Sequence, residues 1–499
     1  MKTKYIAVRG VLSLLSAAAA FSLASCGNAG NENTTASSEA TAVEEVTTEE
    51  AIEIPEKYSL ADENKITPYK NQHQSGLCWA YTTTSIAESS LIVSGFEDTS
   101  VDLSEGYICH RVYPFAEERA ADSTADGIYI SGDPKVNKMT PYYVGGSIMM
   151  AGQLFALGDG PLYEDAAPIN TEAGKLEKSV DIIRSLDEEG NFTKDMSKYL
   201  LTEMNLYRED EDIKEAILRH GAVGIGIYAD QAGAGKTAEA GINYYLTDKS
   251  TPPEATNHVV TIIGWDDSYS KDNFTNKPAH DGAWLIKDSL NSLGDEYYWM
   301  SYDEYHDENG AVGMVFSKRE DYGEILSYDT AGPADFLTAE GDFTTVANVF
   351  SARSADSLKA VGIETVVPDQ KITVSVYKKP EKDNPDSGEK VYEKDYDIEY
   401  AGYKVIDLDE AVSLGAGEQF SVVVKYTNIP DAPGIAPIEG DASYIDLGTL
   451  GEVYLVSGEG ESFALAGDKW YDLSKSESSA AFGKTGTLNN VCIKAILNK

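Results

Sequence analysis

The hydrophobic period of this 499-residue chain changes once, near Tyr322, and that change limits the fold more than any other feature. Beyond it the runs KITVSVYKK, QFSVVVKYT and NNVCIKAIL alternate. Ile372, Val374 and Val376 interleave with Thr373, Ser375 and Tyr377, and Phe420, Val422 and Val424 repeat the pattern. A period of two sends successive side chains to opposite faces of a strand, which suits a sheet with one buried face. Gly, Pro and Asp turns separate the runs, so residues 321–499 are expected to form an all-β sandwich, with Cys492 a packed thiol in its last strand. Upstream, residues 58–320 mix helical periods with short strands, as in an α+β domain. A break near Tyr322 is expected to separate two folding units.

Two upstream segments read as helices. YTTTSIAESSLIV follows QHQSGLCWA and sets Ile86, Ala87 and Leu91 on one face, with Ser and Thr on the other. From Glu209 to His220, acidic Asp210 and Asp212 precede an Ile213, Ala216, Ile217 stripe, and Arg219-His220-Gly221 supplies a stop. AVGIGIYAD, HVVTIIGWDD and GAWLIKDSL read as buried strands ended by turn residues.

The N-terminus carries no fold signal. Lys2, Lys4 and Arg9 precede the apolar stretch VLSLLSAAAAFSL, which falls short of the ~20 residues that span a bilayer. It runs into Leu23-Ala24-Ser25-Cys26, which resembles a bacterial lipobox, where the Cys is acylated after cleavage. Residues 1–26 are thus expected to be a lipoprotein signal with Cys26 as the lipidation site. Residues 27–57, rich in Thr, Ser, Ala and Glu, read as a solvated tether that cannot bury enough to fold. This places the rest outside a bacterial cytoplasmic membrane, lipid-anchored. The 83 acidic against 40 basic residues, a net charge of −43, exclude nucleic-acid backbone binding as a function. Only Cys78, Cys109 and Cys492 follow Cys26, an odd and widely spaced set that implies no disulfide framework. With six His and no C-x-x-C or His-x-x-x-His pair, no metal and no cofactor are expected.

Cys78 sits where a glycine-bearing loop turns into a helix. That position suits a small buried thiol or a nucleophile, and a nucleophile needs a base with an orienting partner. His258, at the mouth of a strand in TNHVVTIIGWDD, is the best candidate base. His73, His110, His220, His280 and His306 fall in polar loops or at a helix end, where solvated rings are expected.

Gln72, Cys78-Trp79-Ala80, Asp102-Leu103-Ser104-Glu105, Gly145-Gly146, Asn257-His258-Val259-Val260 and Trp284-Leu285-Ile286-Lys287-Asp288-Ser289 follow one another in this order. Together they resemble the signature blocks of the papain family of cysteine peptidases, and they cover most of residues 58–318. The resemblance implies a two-lobed domain, one lobe helical and one barrel-like, acting on a peptide or protein substrate. It implies Cys78 as nucleophile, with its thiolate favoured by the helix N-terminus and the His258 imidazolium. It also implies His258 as proton donor to the leaving amine and Asp288 as orienting residue. Gln72 with the Cys78 backbone N–H would be the oxyanion donors. Gly145 and Gly146 would line the substrate cleft, with Ile148, Gly226 and Val259 walling an apolar or undemanding subsite.

ANVFSARSADSLKAVGIET, YKVIDLDEAVSLGAGEQFSVVVKY and the terminal NVCIKA resemble the β-domain, often called lectin-like, that follows such peptidases in bacterial exported proteins. That likeness implies carbohydrate or cell-wall contact. Three departures from the peptidase pattern stand out. Asp288 replaces Asn, Leu290 and Leu293 replace two Trp, and Ser75 replaces a disulfide cysteine. A rival reading is a surface adhesin or binding protein on a catalytically weak scaffold. A scaffold alone needs none of Gln72, Cys78 and His258, and the chain has all three.

Overall fold

The computed structural model describes residues 52–116, 127–229, 243–244, 256–290, 297–304, 306–307, 309–339, 341–429, 433–440 and 450–499. The leader, Cys26 and the tether up to residue 51 lie outside these residues, as do Asn291 and Leu293.

The helix Cys78–Val93 is the axis of the upstream domain. Sequence periodicity assigns it one apolar face, yet every residue from Trp79 to Leu91 is buried. Its Ser and Thr side chains lie against the interior. Thr82 Oγ1 donates to the Val259 carbonyl at 3.1 Å, Thr84 Oγ1 to Glu105 at 2.6 Å, and Ser89 Oγ to the Lys65 carbonyl at 2.9 Å. A helix wedged between two layers buries its polar face as well, and each buried hydroxyl then needs a partner. On one side pack the helices Glu105–Val112 and Ile148–Ala156, and on the other the strands His258–Asp266 and Ala311–Lys318. The expected helix near 209–220 forms as Asp210–His220 with three acidic residues in its first turn, and Gly221 stops it at φ +99°.

The β lobe is an antiparallel run. Tyr199–Tyr207 pairs Ala311–Lys318, which meets Val223–Ile227, then His258–Asp266, Ala283–Lys287 and Tyr297–Ser301. The downstream half is the expected all-β unit. A six-stranded sheet, in the order Glu389–Ile398, Gln370–Lys378, Gln419–Thr427, Phe343–Ser351, Ser462–Ala466, Lys469–Asp472, packs over Asp356–Thr365, Ala401–Leu414 and Ile493–Leu497. Val346, Val374, Val422, Val424, Ile363 and Ile493 form the core between them. Cys492 is buried, as expected, but it precedes the last strand.

The two halves share one sheet. Ala401–Lys404 pairs with Glu203–Leu206, so the downstream strands continue the upstream lobe as a single twelve-stranded sheet. Tyr403 packs into the upstream core, Lys404 pairs with Glu203, and Leu200, Tyr322, Ala360 and Ile496 form a joint cluster. A second seam joins Gly127–Ile130 to Gly451–Tyr454. Alternation along one strand cannot disclose that its edge is taken by a distant segment, which is why the sequence suggests separable units.

Candidate active site

The site is assembled at the N-terminus of the Cys78–Val93 helix. Ser75 N–H donates to the Gln72 carbonyl at 3.1 Å and Ser75 Oγ to the same carbonyl at 2.7 Å. This turn aims the chain into the helix, and serine thus serves locally where the resemblance has a cysteine. Leu77 occupies the N-cap without a side-chain cap, so the first-turn N–H groups lack the usual acceptor. Cys78 is half-buried there, whereas Cys109 and Cys492 are fully buried. Burial pushes both of those thiols well above their ordinary range.

His258, first residue of its strand, reaches the helix start because Thr82 anchors the neighbouring Val259 carbonyl. Its Nε2 lies 2.9 Å from Asp288 Oδ1, which leaves Nδ1 for Cys78, whose thiol adds to the charge balance of the ring. Both His258 and Asp288 are 4% exposed. Burial opposes a charged imidazole, but the Asp288 carboxylate and its hydrogen bond, reinforced by Cys78, raise the His258 pKa well above its usual value. Burial likewise disfavours the Asp288 carboxylate. The His258 charge and hydrogen bond, the Leu290 N–H at 2.9 Å and the Tyr298 hydroxyl at 3.3 Å outweigh it and lower the Asp288 pKa.

Gln72 is buried and held from both ends of its amide. Oε1 accepts from Ser289 Oγ at 2.8 Å, and Nε2 donates to the Ser75 carbonyl at 2.8 Å. An amide nitrogen carries two hydrogens, so one remains for a ligand. The Gln72 N–H also donates to the Ser289 carbonyl at 2.9 Å, tying the residue after Asp288 to this loop. Gly145 takes φ +82°, and its carbonyl accepts from Tyr113 at 3.0 Å. At Gly146 a β-carbon would collide with the Trp79 ring, so close packing on Trp79 demands glycine there.

Several contributors escaped the sequence reading. Tyr298 lies in an apolar run with no polar signal, yet its hydroxyl faces Asp288, and its ring packs against Tyr244 at 6.0 Å between centroids. Tyr298 thus sets an aromatic ring beside Asp288, where Leu290 replaces a Trp. Lys70 is bound by Glu88 at 2.8 Å, Glu105 at 3.0 Å and Asp102 at 2.5 Å. Lys287 donates to the Thr67 carbonyl at 3.1 Å. This charged group stands behind the helix, and Glu105 of the Leu-Ser-Glu block and Lys287 belong to it. Among the other histidines, His110 is not solvated as expected. It pairs with Asp187 at 2.9 Å, while His280 pairs with Asp303 at 3.0 Å in an exposed setting.

Known proteins match in the same two parts. The papain family cysteine protease description matches residues 54–112, and the lectin like domain description matches residues 325–497. A probable cysteine protease of Arabidopsis thaliana, RD19D, is 24% identical over 270 residues, covering 52% of this chain. The chain spans 60% of that relative's length. The clostridial cysteine protease Cwp84 after propeptide cleavage superposes with a TM-score of 0.67 at 25% identity, over 89% of this chain and 99% of that one. A structure of the cysteine protease and lectin-like domains of Cwp84, a surface layer associated protein of Clostridium difficile, gives a TM-score of 0.67 at 24% identity, over 89% of each chain. This chain carries a papain-family cysteine protease domain followed by a lectin-like domain.

Proposed function

We propose that the chain is a cysteine endopeptidase held at the outer face of a bacterial cytoplasmic membrane. The observation that carries this is the meeting of Cys78, at an uncapped helix start, with His258, itself hydrogen-bonded to a buried Asp288. The Cys78 thiolate attacks the peptide carbonyl carbon and forms a C–S bond. The carbonyl oxygen takes the negative charge and accepts from the free Gln72 N–H and the Cys78 backbone N–H. The His258 imidazolium passes its proton to the nitrogen as the C–N bond breaks, and the amine leaves. Water then gives a proton to His258 and attacks the thioester, releasing the acid and restoring the thiolate. Asp288 stays ionised throughout and holds the ring, as the carboxylate does in comparable triads.

The anchor is part of the same reading. Cys26 would carry the lipid and residues 27–57 the tether, with the peptidase domain ending near residue 320 and the β-domain running from 321. Among the described residues no helix is long and apolar enough to cross a membrane. Cwp84 is a surface layer associated protein, which agrees with such a location. The β-domain would meet carbohydrate or cell wall. Thiol-dependent cleavage of a fluorogenic peptide library by the full chain tests the chemistry. Cys78→Ala should abolish turnover, while Cys109→Ser and Cys492→Ser, at buried thiols remote from His258, should keep it. Alkylation-sensitive turnover remaining in Cys78→Ala sinks the assignment.

A further inference from the structure

The seam between the two domains encloses a second group of buried charges. On the strand Asp356–Thr365, Ile363 faces the core of the β-domain, so Gly362 and Glu364 face the other way. Gly362 pairs with Lys494 and Glu364 with Tyr403, which places those side chains on the same side. That side meets the peptidase domain. Tyr403 packs into its core, and Gln153, from the helix Ile148–Ala156, donates its side-chain amide to the Asp329 carbonyl. Gly362 makes room for the Tyr403 hydroxyl. A β-carbon there would lie 2.6 Å from that oxygen and 3.1 Å from Lys494 Cβ. Lys494 Nζ lies 2.6 Å from Asp329 Oδ2 and 5.3 Å from the centre of the Tyr403 ring. Lys494 and Asp329 are 0% exposed and Glu364 is 2% exposed.

The charges in this group do not balance. Lys494 supplies one cation and Asp329 takes it, with Asp329 Oδ1 also accepting from Ser327 Oγ at 2.7 Å. Among the described residues Glu364 has no ion-pair partner, and its Oε1 accepts no hydrogen bond. An unpaired carboxylate in a dry interior is far costlier than a neutral acid, so the site selects the protonated form. Burial pushes the Glu364 pKa up to about 8, against the attraction of Lys494 and aided by the repulsion of Asp329. The surrounding groups do not titrate with it. Burial opposes the Lys494 charge, but Asp329 outweighs it and the amine keeps its proton. Burial raises Tyr403, Tyr426 and Cys492, which stay neutral. A third acid at the edge, Glu439, accepts from the Ala331 N–H at 2.7 Å and from Asn490.

We propose that Glu364 is a proton-held latch of the domain seam: its neutral form closes the seam, and its ionisation loosens it. A carboxyl that keeps its proton to about pH 8 in the closed seam, against 4.5 in its ordinary state, favours closure most below pH 4.5. That contribution falls as pH rises and is gone above about 8. Glu164, also raised to about 8 by burial, gives the chain a pH slope of its own. The readout is therefore local, and it compares the full-length parent with Glu364→Gln, which carries a neutral group at every pH. Hydrogen exchange is followed in the paired segments 203–206 and 401–404 from about pH 5.5 to 8.5, corrected for the intrinsic rate. In the parent the opening constant of the seam should rise roughly 10- to 100-fold over that range, and in Glu364→Gln it should stay level. Should Glu364→Gln not fold, the parent decides alone: opening must rise at the seam while the outer strand pair Gln370–Lys378 and Glu389–Ile398 stays level. A seam whose opening does not rise with pH, rises equally in Glu364→Gln, or rises no more than the outer pair overturns the proposal.

Discussion

Replacing Asp288 separates its charge from its geometry. At 2.9 Å and an effective dielectric constant of about 20, the carboxylate attracts the imidazolium by about 6 kcal/mol. Much of this is offset by burying both charges. Asp288→Asn removes the charge and keeps the shape. Its oxygen still accepts from His258 and the Leu290 N–H, and its nitrogen can donate to the Tyr298 hydroxyl. The carboxylate raises the His258 pKa, so removing it lets the imidazolium lose its proton at lower pH. The alkaline limb of kcat/KM should then move down by roughly 1–3 pH units, with activity retained on the acid side. Asp288→Ala also removes the acceptor and leaves the ring free to turn. It should lose roughly 10- to 1,000-fold in kcat/KM, equivalent to about 1.4–4 kcal/mol. The assay is kcat/KM against pH on one fluorogenic peptide, paired with the rate of Cys78 alkylation against pH. An Asp288→Ala profile that overlays the parent, or an unmoved limb in Asp288→Asn, refutes the reasoning.

Two further outcomes follow from the anchor and the shared sheet. Cys26→Ser should block incorporation of radiolabelled fatty acid and change the mature mass, and label persisting in that variant disproves the lipobox assignment. Residues 52–321 produced alone should aggregate or melt at lower temperature than the full chain. Removing Ala401–Lys404 bares the edge of Tyr199–Tyr207 and the apolar surface around Leu200, and bare edges recruit other strands. A monodisperse fragment with an unchanged Tm in size-exclusion and thermal scans would show that the seam contributes nothing.

Local patterns were sufficient where the cause of structure is local. Two-residue alternation disclosed the downstream strands, because strand geometry alone sends Val374 and Val422 inward. Gly221 and the acidic first turn marked the ends of the 210–220 helix, because capping is settled within a few residues. The ordered blocks named Cys78, His258, Asp288 and Gln72. Residues 180 and 210 positions apart can be paired that way only by likeness to a known family. What the tertiary structure alone decided is whatever depends on who stands opposite. The Cys78 helix is buried all round because two layers enclose it. Tyr298 faces Asp288 because its strand lies beside Ala283–Lys287. The two domains share a sheet because Ala401–Lys404 lies along Glu203–Leu206. Periodicity reports the face a residue presents, and only packing reports what that face meets.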